Sequence, residues 1–111
     1  MSPTETPKHK DAFVVVTNGE LAPTIQFVFE SGDVRALPYA YLTGMDFSKS
    51  GFITIEFTTG KVELRGRRLD KLFASLVFYQ VIAVRQHSIT ETRPPSSECC
   101  IDRMAFTANE G

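Results

Sequence analysis

Tryptophan is absent from this 111-residue chain, cysteine occurs only twice, and neither sign of charge predominates. Twelve Lys and Arg against thirteen Asp and Glu leave a formal net charge of −1, which excludes a globally basic nucleic-acid binder while leaving room for a local patch. Cys99 and Cys100 are adjacent, so they do not make a disulfide framework, and the fold must be held by its core, as expected of a cytoplasmic protein. Long apolar runs are missing too. The longest, Leu76–Val84, is interrupted by Tyr79 and Gln80, and the first residues, MSPTETPKHK, have no apolar segment. Neither a membrane span nor a secretory signal is expected. No nucleophile elbow, phosphate-binding loop, dinucleotide fingerprint or zinc-protease motif occurs, so no catalytic residue is nominated.

What is present is pattern. In Phe13–Val16 a β-branched run leads to Asn18-Gly19, a strand ending in a turn. Ile25, Phe27 and Phe29 alternate with Gln26, Val28 and Glu30, and after Ser31-Gly32-Asp33 the chain resumes as Val34-Arg35-Ala36-Leu37, a hairpin with one face in the core. A similar design follows. Ile53, Ile55 and Phe57 alternate with polar residues, Thr58-Thr59-Gly60-Lys61 turns, and Val62 and Leu64 alternate on the return. The alignment of Phe29–Val34 with Phe57–Val62 is short, and shared hairpin chemistry explains it better than duplication. Between the hairpins, a turn or single coil is expected at 38–42 and a strand at about 43–47, pairing with 52–57.

After Gly66 the apolar period changes from 2 to 3.6. Leu69, Leu72, Phe73 and Leu76 stand at i, i+3, i+4 and i+7, which predicts an amphipathic helix over 67–79, widened by Val77 and Phe78. Val81–Val84 then reads as a last, buried strand. The expected fold is α+β: a bent antiparallel β-sheet, or partly open roll or barrel, of five to seven strands built from hairpins and closed by the helix and that strand. Residues 1–11 and 88–111 are expected to be disordered tails around a single domain at 12–87.

The densest positive charge is Lys61-Val62-Glu63-Leu64-Arg65-Gly66-Arg67-Arg68, where strand hands over to helix. Unpaired N–H groups at a helix start, with Lys61, Arg65, Arg67 and Arg68 nearby, suit a phosphate or other anion. The plainer reading makes Arg67 and Arg68 solvated first-turn residues, with Arg65 and Glu63 on the outer face of the strand. Tyr39, Tyr41 and Phe47 form an aromatic group that would receive bases or a peptide if it lay on a surface, or cap the core if it did not. His9 and His87 have no ligand-spaced neighbours, so neither a metal nor a cofactor is expected.

Asp46-Phe47-Ser48-Lys49-Ser50-Gly51 fits D-x-S-x-x-G and resembles half the signature of PilZ domains. That resemblance implies cyclic di-GMP binding on a β-barrel. The R-x-x-x-R half is missing, because Arg35 is followed four residues later by Tyr39. The leading expectation is a non-enzymatic module that binds another protein or itself, as in a homodimer joined through an edge strand. Anion, nucleotide or nucleic-acid binding at the arginine junction is the alternative.

Overall fold

The computed structural model describes residues 11–16, 20–88, 90 and 93–109. Its elements run β1 (Phe13–Val15), β2 (Thr24–Val28), β3 (Val34–Pro38), a 3₁₀ turn (Tyr39–Tyr41), β4 (Leu42–Ser48), β5 (Phe52–Phe57), β6 (Gly60–Arg67), α1 (Asp70–Val77), β7 (Val81–Arg85) and β8 (Cys100–Ala108). The class is α+β. The strands form two four-stranded sheets, ordered β1-β7-β2-β3 and β4-β5-β6-β8, neither of them closed.

Alternation decides which way each strand faces. Ile25 and Phe27 of β2 are fully buried, as are Ile53 and Ile55 of β5 and Val62 and Leu64 of β6, because side chains two apart in a strand share a face. The inner faces meet in one core, where Phe27 of the first sheet packs edge-on against Phe57 of the second at 6.3 Å. Burying such a side chain contributes roughly 1.5–3 kcal/mol. Leu69, Leu72 and Leu76 complete the core from the helical segment, as the 3.6-residue period requires. The expected pairing of 43–47 with 52–57 is present as β4 with β5, and the two expected hairpins as β2 with β3 and β5 with β6.

Four expectations are corrected. Eight strands are formed among the described residues instead of five to seven. The helix is shorter than 67–79, because β6 continues to Arg67, paired with Cys100, and Arg68 then turns through a positive φ of 56°. At the other end Tyr79, at φ 60°, stops it; left-handed backbone without glycine costs about 1–2 kcal/mol. Val77 and Phe78 do not cover the sheet but stand exposed.

The fourth correction is the largest. Within 88–111, the segment expected as a tail, residues 100–108 form β8, which pairs antiparallel with the whole length of β6 and buries Cys100, Ile101 and Met104. The final strand of the fold is therefore β8, while β7 lies inside the first sheet, parallel to β2 and antiparallel to β1. The expected N-terminal tail lies, apart from Asp11, outside the described residues, as does the Asn18-Gly19 turn. Among the described residues no helix is long and apolar enough to cross a membrane.

The aligned glycines of the two hairpins are not equivalent. Gly32 turns at φ 96° in open space, whereas a Cβ on Gly60 would strike Thr107 O and the Phe106 ring of β8. One serves a turn and the other a close approach, which fits shared hairpin chemistry rather than duplication.

Candidate functional site

The cationic junction is spread along β6 and is largely engaged. Lys61 pairs with Glu63 at 3.8 Å, both side chains about half exposed, and it stands six steps along the strand, roughly 20 Å, from Arg67. Arg67 donates from Nη2 to Pro94 O at 2.6 Å and Pro95 O at 3.2 Å. Arg68 donates from Nε to Ser96 O at 3.1 Å. Neither belongs to a first helical turn, since α1 begins at Asp70. The two guanidinia instead clasp the carbonyls that lead into β8, charge-assisted bonds between segments 27 and 28 residues apart. Arg65 is exposed and stacks on Phe52, its Cζ 4.4 Å from the ring centroid. Its register partner across the strands is Arg103.

The three aromatic candidates also separate. Tyr39 is buried and stacks on Tyr79 with ring centroids 4.5 Å apart. Its hydroxyl donates to Val81 O at 2.8 Å and accepts from Val81 N–H at 3.1 Å, and burial pushes its pKa up to about 12. Phe47 packs on Phe73 of α1 at 5.3 Å. Tyr41 remains on the surface.

Asp46–Ser48 end β4 and residues 49–51 make the hairpin turn into β5. Gly51 N–H donates to Ser48 O, Ser50 N–H donates to Ser48 Oγ, and Gly51 takes φ 92°, so the serine and glycine of that string shape a turn. Cys99 is half-buried and Cys100 buried, both as free thiols. Burial pushes Cys99 up to about 12 and raises Cys100 as well, the opposite of an activated thiolate. His87 N–H donates to Ile101 O, while His9 lies outside the described residues. Among the described residues no three His, Cys, Asp or Glu side chains converge as metal ligands.

The feature that best fits binding is the β3 edge of the first sheet. Phe29 N–H donates to Asp33 O, and Tyr39 N–H donates to Pro23 O. In an antiparallel ladder bonded pairs recur at every second residue, so Arg35 and Leu37 also turn their main-chain groups toward β2. The N–H and C=O groups of Val34 and Ala36 therefore point away from the sheet, and β3 is its terminal strand. Alongside runs an open groove of about 760 Å³ lined by Phe29, Ser31, Asp33, Val34, Arg35, Ala36 and Phe106. Arg35 sits over the Phe106 ring, its Cζ 3.9 Å from the centroid, a contact that leaves guanidinium N–H groups to donate hydrogen bonds. Val34 is 55% exposed, an apolar side chain on the outer face beside the free main chain.

The other edges are interrupted in part. β1 has three residues and a register shift, β4 carries a register shift at Leu42/Gly44, and the main chain of β8 accepts from His87 N–H and Gln86 Nε2. Shortness, bulges and covering segments are the usual ways a sheet blocks strand addition. β3 has five residues in unbroken register. The alternating composition of Val34-Arg35-Ala36-Leu37 marked a strand, but that it is terminal depends on the strand order. Comparison with protein-family models, with curated proteins and with solved structures finds no match for this chain.

Proposed function

We propose that this protein is a non-enzymatic interaction module whose binding element is the β3 edge of its first sheet. The observation that carries this reading is the unpaired main chain of Val34 and Ala36, set in a regular edge beside the Phe29–Phe106 groove. Added strands take affinity from such main-chain bonds and specificity from side chains on either face. Each bond contributes about 0.5–1.5 kcal/mol net, so four groups and a half-apolar groove suit a reversible contact. Catalysis lacks comparable support, since both thiols are held protonated by burial. The anion-binding alternative is weakened by the engagement of Arg67 and Arg68; what supports it is Arg65 beside Arg103 on the outer face of the second sheet.

Ala36→Pro tests the reading. The Ala36 N–H points off the edge, so proline there removes no bond within the sheet, and edge strands tolerate it. Selection of displayed peptides on the immobilised protein is expected to enrich extended, β-branched sequences that the Ala36→Pro protein no longer captures. Equal capture by a folded Ala36→Pro protein overturns the reading.

A further inference from the structure

We infer that the strand received by β3 is the β3 of a second copy of this chain, paired antiparallel about a two-fold axis through Val34. This deepens the edge-binding reading and rests on it. Charge selects the partner and the register. Asp33 and Arg35 flank Val34 and, two residues apart in an extended segment, project to the same face. A two-fold axis at Val34 sets Asp33 of each copy opposite Arg35 of the other, which makes two reciprocal ion pairs at non-bonded positions, where facing side chains approach closest.

The neighbouring registers are worse. An axis at Arg35 faces arginine with arginine, and like charges directly opposite are destabilising. An axis at Ala36 brings Pro38, which has no N–H, against the carbonyl of Val34. At the Val34 axis both Val34 residues exchange main-chain bonds through groups that nothing else among the described residues occupies, and the two valine side chains meet on the outer face.

The cation is in place. Ala36 of one copy comes opposite Gly32 of the other, whose N–H is already given to Phe29 O in the hairpin turn, so the shared ladder ends there. Arg35 is already held over Phe106, so little of its freedom remains to be lost on pairing. The interface is isologous, as a cyclic dimer requires, and joins two four-stranded sheets into one continuous sheet.

Sedimentation equilibrium on the full chain tests this with two charge reversals. Wild-type protein is expected to shift, as its concentration rises, from 12.4 kDa to twice that mass. Asp33→Arg alone and Arg35→Asp alone are each expected to stay monomeric, one facing cation with cation and the other anion with anion. An equimolar mixture of the two is expected to recover the dimer, because every facing pair is again opposite in charge. Circular dichroism melts confirm that both variants fold, their changed side chains being exposed. A wild-type protein that remains monomeric at high micromolar concentration overturns the second copy as occupant, and so does a mixture that fails to associate. Single variants that dimerise like wild type overturn the Val34 axis. In each case loss of peptide capture by Ala36→Pro would leave the edge-binding reading standing, so the two failures are distinguishable.

Discussion

Tyr39 is held at both ends of its side chain, the ring stacked on Tyr79 and the hydroxyl serving both main-chain groups of Val81. Val81 is fully buried, so removing the hydroxyl strands a donor and an acceptor away from water. Tyr39→Phe is expected to cost about 1–3 kcal/mol, with a fall in Tm of roughly 4–8 °C for each kcal/mol. Tyr41→Phe on the surface should stay within about 0.5 kcal/mol of wild type. Urea unfolding of the two variants checks the contrast, and equal midpoints would refute the role given to Tyr39. In the sequence the two tyrosines are indistinguishable, a residue apart in one short turn. Similarly, Arg67 and Arg68 resemble a surface anion site, because the carbonyls that occupy them belong to residues 94–96.

At the scale of elements, the strands and helix that obey a single period were legible. Ile25 and Phe27, Ile53 and Ile55, and Leu69, Leu72 and Leu76 are buried where alternation or helical spacing puts them. β8 breaks the rule. Cys100 and Ile101 are buried in succession and Met104 follows three residues later, because the ladder shifts register opposite Arg65 and Gly66. An interrupted period beside a Pro-Pro-Ser-Ser stretch has the composition of a tail, and its pairing partner lies more than thirty residues upstream. Gly66 records that pairing: a Cβ there would lie 1.9 Å from Cys100 O. Gly66→Val should therefore force β8 from β6 and cost about 1–3 kcal/mol. The same change at Gly44, where the nearest atom is the end of the Glu56 side chain at 3.6 Å, should cost far less. Faster amide exchange across β8 in Gly66→Val would confirm the cause, and unchanged exchange would refute it.

For the whole molecule, buried Tyr39 and half-buried Cys99 make folding sensitive to alkali. Tyr39 titrates at about 12 instead of 10 and Cys99 at about 12 instead of 9, desolvation being the main cause of both. The unfolded chain ionises first, so stability is complete below about pH 9 and is lost as pH rises from there to about 12. Denaturant midpoints should hold from pH 8 to about pH 9 and fall from there to pH 11, and the buried Cys100 thiol should react with a disulfide reagent at pH 8 only after unfolding. Prompt reaction at Cys100 in the folded protein, or a profile flat to pH 11, would contradict the burial of these groups. The sequence by itself determined the local quantities: which residues of a strand or helix share a face, where hairpins turn, and where the apolar period changes from 2 to 3.6. Tertiary structure alone decided that 100–108 completes the second sheet, that two arginines are consumed in holding its approach, and that β3 is left as the open edge. Facing is set by neighbours two to four residues away, whereas edges and partners are set by strand order, which depends on contacts between segments far apart in the chain.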